Sequence, residues 1–411
     1  MQKAIAVLSL ISFAVALLST PALAAKPRGF AEKKLTLVGN KVQQLIDDAV
    51  IVGAVTLVAR DGKIAMHEAR GLRDLKTGAA MEKDTIFRIY SMTKPITTTA
   101  VMMLVEEGKI SPSDPVSKHL PELGRLAVFD TSGKHKPVKN TMTVADLMRH
   151  TSGLSYGFIG GPVATLYNTH DILDRNSSLE QMINKLAKIP LQEEPGSTWR
   201  YSVSIDVLGR LVEVVSGKSF GSFIRERIFV PLGMTDTGFH VPEEKASRLT
   251  SQHTRDLSGK LKVNEPAGLS HFLKKPVHQS GGGGLCSTAH DYFRFCQMIL
   301  NGGELDGKRL LKEETIILMT QNQLPPSIPN IGIGDNRKGI GFGYGFSVRK
   351  AQSDWGFGGP AGEFGWGGAA STHFWISPKD GLIVITLRNF MPYEWMLEKE
   401  LKPLVYKALR D

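Results

Sequence analysis

Strand-forming segments sit at both ends of this 411-residue chain, and helix-patterned segments fill the middle. Near the start, "AVTLVARDGKIAMHEARG" (54–71) gives two β-prone runs around Asp61-Gly62, a pair that favours a tight hairpin. Near the end, "YGFSVRK", "GGAASTHFWIS" and "GLIVITLRN" are β-rich, with Pro378-Lys379-Asp380-Gly381 supplying a turn. From about Ser111 to Gly303 the pattern is loops and helices such as "VADLMRH", "SLEQMINKLAKI" and "SIDVLGRLVEVVSG". Further helices are predicted from Phe30 to Asp48, from about Ser91 to Gly108, and from about Glu394 to Leu409. Hairpins dominate and βαβ repeats are absent, so the expected fold is α+β: one antiparallel sheet built from both chain ends and flanked by helices. The sheet part takes 25–110 and 304–411, the mainly helical insertion takes 111–303, and together they form one unit. Gly339, Gly341, Gly343 and Gly345 alternate along "GIGFGYGF", which leaves one face of that segment bare for a close neighbour, unless it is simply a flexible loop.

The first 24 residues read differently. A lysine near the start, an apolar run from Ala4 to Leu18 and the small-x-small triplet Ala22-Leu23-Ala24 have the form of a secretory signal peptide. The run is short for a membrane span. An exported chain beginning near Ala25, periplasmic or secreted and with no membrane span after processing, is expected. The net charge of +10 is spread among acidic residues, as in "EEGK" and "EKELK", with no basic stripe bearing interleaved aromatics, which argues against a nucleic-acid partner. The two cysteines, Cys286 and Cys296, fall about 15 Å apart if the segment between them is helical, too far for a disulfide. They are expected to be small core residues. No HExxH or paired CxxC is present, so no metal or other cofactor is implied.

Several serines compete as a nucleophile. Ser155 in "GLSYG" and Ser219 in "GKSFG" fit G-x-S-x-G, but each follows a helix rather than the strand that a nucleophile elbow requires. "S-x-x-K" occurs at Ser91/Lys94 and at Ser347/Lys350. The second pair lies on a predicted strand, where positions three apart face opposite ways. Ser91 and Lys94 lie at a predicted helix start, where i and i+3 share a face. There a lysine can take the serine proton, and the helix N-terminus favours a developing alkoxide. Pro95 is tolerated because it falls in or just after the first turn. Spacing alone also fits a capping serine beside a solvated lysine.

The residues around the pair resemble the serine β-lactamase and penicillin-recognising superfamily, in particular its class C-like branch and the family VIII carboxylesterases. "FRIYSMTKPIT", "LMRHTSGLSYGF" (147–158), "PGSTWRYSVSIDVLGRLVE" (195–213), "PLGMTDTGF", "GGGGLCSTAHDYFRF" and "GWGGAASTHFWISP" are similar to family stretches and keep their order along nearly the whole mature chain. The resemblance implies Ser91 as the acylated nucleophile, Lys94 as its base and Tyr201 as a partner in proton transfer that helps activate the deacylating water. It places Trp366-Gly367-Gly368 where the family carries Lys-Thr-Gly, and the backbone N–H groups of Ser91 and Ala369 as an oxyanion hole. Bare glycines at 367 and 368 would let substrate approach. His150 is then structural, since the family uses no histidine base there. The implied fold is that of β-lactamases and DD-peptidases, with the site between sheet and insertion.

Two positions depart from the β-lactamase pattern. Val203 stands where an asparagine normally binds a substrate amide, and Trp366 replaces a lysine that helps bind a carboxylate. Both changes favour small esters over β-lactams or D-Ala-D-Ala peptides. The expectation is therefore an exported carboxylesterase working through a Ser91 acyl-enzyme, on a small-molecule ester or amide, with weak or no β-lactamase activity. The alternatives are a β-lactamase, a D-amino-acid peptidase or amide hydrolase, or an acyltransferase on the same site; or a non-catalytic cell-wall-binding or sensing protein. Loops at about 160–175 and 323–338 are expected to shape the pocket, and the sequence carries no signal for an oligomeric state.

Overall fold

The computed structural model describes residues 28–351, 353 and 355–410; the expected leader lies outside them. Eight strands form one antiparallel sheet. In chain order they are β1 (Gly53–Arg60), β2 (Lys63–Asp74), β3 (Ala79–Ala80), β4 (Ile340–Phe342), β5 (Ser347–Arg349), β6 (Phe364–Gly368), β7 (Thr372–Ser377) and β8 (Leu382–Leu387). Their spatial order is β4-β5-β6-β7-β8-β1-β2-β3, so the two chain ends meet where β8 pairs with β1, from Leu382↔Arg60 to Leu387↔Val55. β1 and β2 flank Asp61-Gly62, the hairpin that the dipeptide predicts.

Period-two alternation divides the core into two layers. Val55, Leu57 and Ala59 of β1, with Ile383, Ile385 and Leu387 of β8, enter the larger apolar cluster on one face. Ala54, Val58, Leu382 and Val384 point the other way. They meet two terminal helices, α1 (Glu32–Asp47) and α5 (Met396–Ala408), through Val38, Val42, Leu401 and Val405. On the first face lies α2 (Thr93–Glu106), buried continuously from Thr93 to Leu104. A helix without a polar face belongs inside a large core, and here α3 (Ser204–Ser216) and the loops of the intervening region wrap it. Its threonines hold those loops: Thr97 Oγ1 donates to Gly281 O at 2.7 Å and Thr98 Oγ1 to Tyr344 O at 3.0 Å. The helix α4 (Ala289–Leu300) belongs to the central stretch of the sequence, yet it packs on the sheet, with Tyr292 and Phe374 rings 5.0 Å apart.

The alternating glycines do meet close neighbours. A Cβ at Gly343 would lie 2.1 Å from Met319 O, so the backbone there is pressed against the preceding segment. Cys286 lies in a two-residue strand paired with Phe87–Arg88 and Cys296 lies in α4; both are buried free thiols. Among the described residues, no helix is long and apolar enough to cross a membrane.

Candidate active site

Ser91 occupies a 3-10 turn (Tyr90–Met92) that runs straight into α2. Tyr90 immediately before it has φ +40°, in the left-handed region that a bulky residue rarely adopts. Two contacts hold it there. Its hydroxyl hydrogen-bonds Gln252 Oε1 at 3.1 Å, and its ring meets Phe272 edge-on with centroids 6.0 Å apart. The turn and the first helical residues set Ser91 and Lys94 on one face, as the spacing predicts, and Lys94 Nζ lies 3.1 Å from Ser91 Oγ. The second S-x-x-K pair is apart: Ser347 Oγ donates to Gly365 O at 2.8 Å, while Lys350 is exposed and reaches Pro329 O. Ser155 is buried and Ser219 caps a short helix (Phe220–Ile224).

Lys94 is fully buried. Besides Ser91 Oγ, its Nζ lies within hydrogen-bond reach of Gly282 O at 2.6 Å and Tyr156 OH at 3.2 Å. Three oxygens thus surround one nitrogen, and none belongs to a carboxylate. In the neutral amine, the two N–H bonds can serve Gly282 and Tyr156, and the lone pair then faces the Ser91 hydroxyl. Gly282 reaches the lysine because it lacks a side chain: a Cβ there would lie 2.3 Å from Asp206 Oδ2 and 2.9 Å from Tyr156 OH. Asp206, on the first turn of α3, fixes the loop by accepting from Ser280 Oγ (2.5 Å) and Gly282 N (3.0 Å). Burial, then the nearby Asp206 anion, holds the Tyr156 hydroxyl well above the usual tyrosine range. Tyr156 is therefore a neutral partner of Lys94.

Tyr201 lies beside the pair in a different way. Lys94 Nζ is 4.4 Å from the centroid of its ring, and the Tyr201 hydroxyl accepts from Trp366 Nε1 at 3.4 Å. Among the described residues it makes no hydrogen bond to Ser91 or Lys94. Tyr156 and Asp206 are absent from the residues that the sequence singles out. The available signals were the tyrosine inside "GLSYG", set aside with its serine, and the run "GGGG", which marks a place where chains approach closely. His150 is enclosed by Trp199, Tyr201 and Phe342 and hydrogen-bonds Ser202 Oγ through Nδ1 at 3.2 Å. Burial, and after it the Lys94 charge, push its pKa well below the ordinary histidine value, so the ring is neutral.

Ser91, Tyr201, Trp366, Gly367, Gly368 and Ala369 line one cleft of about 500 Å³. Tyr156, Phe158, Ile333 and Trp395 complete a mainly apolar wall, and Leu173 and Arg337 come from the two loops expected to shape the pocket. Val203 does not reach it. Its side chain is fully buried at the start of α3, because the turn that presents Tyr201 directs the residue two places on into the core. The glycines of β6 also have a packing role. A Cβ at Gly368 would lie 2.2 Å from Ile89 O, and one at Gly367 2.7 Å from His373 Nδ1. The bare strand presses against the segment before Ser91 and brings Ala369 beside the serine in the cleft wall. Among the described residues, no three His, Cys, Asp or Glu side chains gather as a metal site.

The chain is similar to known proteins over most of its length. The Beta-lactamase family matches residues 38–401. The chain is 32% identical over 373 residues to Esterase EstB of Burkholderia gladioli, covering 86% of this chain and 89% of that one. It is 28% identical over 385 residues to Lovastatin esterase of Penicillium rubens, covering 88% and 94%. Among solved structures, EstCE1, a hydrolase with promiscuous acyltransferase activity, superposes with a TM-score of 0.77 at 27% identity, covering 92% of this chain and 99% of that one.

Proposed function

Because the chain belongs to the β-lactamase family and is a serine hydrolase, we propose that it is an exported carboxylesterase. It acts on small esters through a Ser91 acyl-enzyme and has little β-lactamase activity. The contact between Ser91 Oγ and a buried Lys94 Nζ with no carboxylate neighbour carries this reading. Lys94 takes the serine proton as Oγ attacks the ester carbonyl, and the Ser91 and Ala369 N–H groups receive the oxygen as it becomes negative. Tyr156 and Gly282 orient the lysine. Tyr201 passes the proton to the leaving alcohol and later helps a water attack the acyl-enzyme. The apolar cleft, with Trp366 in place of a lysine and Val203 turned inward, supports ester over β-lactam recognition.

The test sets short-chain p-nitrophenyl esters beside nitrocefin, with Ser91→Ala as control. Ester turnover that vanishes in Ser91→Ala, with little nitrocefin cleavage, is expected; dominant nitrocefin cleavage, or no Ser91-dependent turnover, overturns the reading. The aromatic cleft wall, together with the acyltransferase activity named for EstCE1, favours a second reaction: transfer of the acyl group to an alcohol. Added butanol should divert part of the product to butyl ester; acid as the sole product excludes that reaction. For export, N-terminal sequencing of protein recovered outside the cytoplasm of a bacterial host should start near Ala25, and an unprocessed cytoplasmic product contradicts it.

A further inference from the structure

One cation in the cleft takes no part in this chemistry. Arg337 is anchored by a short backbone bridge: its N–H donates to Ile331 O at 3.0 Å, and Ile340 N donates to its carbonyl at 2.9 Å. The side chain is only 7% exposed. Its guanidinium carbon lies 4.4 Å from the ring centroid of Trp355, 5.4 Å from Trp395 and 5.9 Å from Trp366. Stacked on indoles in this way, the group has little rotamer freedom left to lose on binding a ligand. Nε donates to both carboxylate oxygens of Asp335, each at 3.2 Å. Asp335 is itself tied to Ile333 N at 2.7 Å and is 41% exposed, so solvent screens the pair. Among the described residues neither Nη atom has a hydrogen-bond partner, and neither is sealed from solvent. Four of the five guanidinium N–H bonds are thus unused beside the cleft that holds Ser91.

We propose that Arg337 is a specificity determinant that binds a carboxylate on the substrate, which makes the preferred substrates esters with an anionic carboxylate on the acyl or the alcohol part. This rests on the esterase reading for its chemistry. A planar carboxylate matches the paired Nη donors, and a charge-assisted contact in a mainly apolar cleft outweighs the same contact in water. The lysine that Trp366 replaces is therefore not the cleft's last cation: the positive charge comes from a loop, and Trp366 serves as part of its stacking surface.

The test uses matched esters that differ only in charge. 4-Nitrophenyl hydrogen adipate against 4-nitrophenyl methyl adipate probes the acyl side; 4-(butyryloxy)benzoate against its methyl ester probes the alcohol side. In at least one pair the ratio of kcat/KM, anionic over neutral, should exceed one. It should fall about tenfold or more in Arg337→Gln, mainly through KM, and less in Arg337→Lys. Asp335→Asn, which keeps the arginine and removes its competing anion, should raise the ratio. Ratios unchanged in both pairs, or lowered by Asp335→Asn, overturn the proposal. Absence of any Ser91-dependent ester turnover would sink the esterase reading alone. In that event tryptophan fluorescence of Ser91→Ala titrated with monomethyl or dimethyl adipate decides. Selective binding of the monoacid, weakened about tenfold by adding Arg337→Gln, supports the site, and equal binding of both compounds overturns it.

Discussion

Two fully buried lysines sit near opposite ends of β6, and their surroundings differ in one respect. Lys94, whose partner Ser91 shares the cleft wall with Gly368 and Ala369, hydrogen-bonds only neutral oxygens. Lys402 of α5, beside Glu363 just before the strand, lies 2.5 Å from Glu363 Oε1 and 3.5 Å from Glu398 Oε1. Glu363 also accepts from the Tyr406 hydroxyl and lies 3.5 Å from Arg349 Nε, while Glu398 lies 3.1 Å from His373 Nε2. Removing Lys402 would take one cation from a buried cluster of two carboxylates, leaving only Arg349 and His373 beside them, which is unfavourable. Removing Lys94 strands no carboxylate in contact with it. Burial is common to both lysines; what distinguishes Lys94 is the contact with Ser91 Oγ and the lack of a carboxylate partner.

The largest effect that can break this comparison is catalytic. Lys94→Met should lower ester kcat by about 10³-fold or more while leaving the thermal midpoint unchanged or raised, since no buried carboxylate loses a partner. Retention of a tenth of the activity would end the distinction. Lys402→Met should do the opposite: a loss of about 3–5 kcal/mol in urea unfolding, with the folded protein still turning over ester. A stability change below about 1 kcal/mol there would show that the carboxylates do not depend on Lys402.

Tyr156→Phe should lower kcat about 10- to 100-fold by removing one of the three oxygens that hold Lys94 Nζ in place. Because burial and Asp206 raise the Tyr156 pKa, the hydroxyl stays protonated across pH 6–10. The ratio of wild type to variant should therefore be flat over that range, and a ratio that changes with pH would identify Tyr156 as a titrating group. The smallest effect is on the structural side. Burial alone would raise the Glu398 pKa, but His373 and Lys402 outweigh it and hold the carboxyl below its ordinary 4.5. A depressed folded pKa contributes stability above the unfolded value and loses it as pH falls through the folded one. The stability gap between wild type and Glu398→Gln should accordingly be open at neutral pH and close on the acid side; a gap that widens on acidification contradicts the sign.

Local pattern determined much of this molecule. The Asp61-Gly62 hairpin, the strand-rich ends and the amphipathic terminal helices follow from periods of two and 3.6, and so does the meeting of Ser91 with Lys94 one helical turn apart. Both cysteines are buried free thiols as expected, but only Cys296 lies on the helix; Cys286 lies in a strand before it, so the helical spacing assumed between them does not hold. What surrounds the dyad has no such local rule. Tyr156 comes from 62 positions away from Lys94 and Gly282 from 188. Which of two tyrosine hydroxyls reaches the lysine, whether Val203 faces the cleft or the core, and which loop brings a cation to the Trp366 wall are all decided by how α2, α3 and β6 pack. Spacing along the chain fixes a side chain's direction on its own element, whereas its partners depend on where the other elements come to rest.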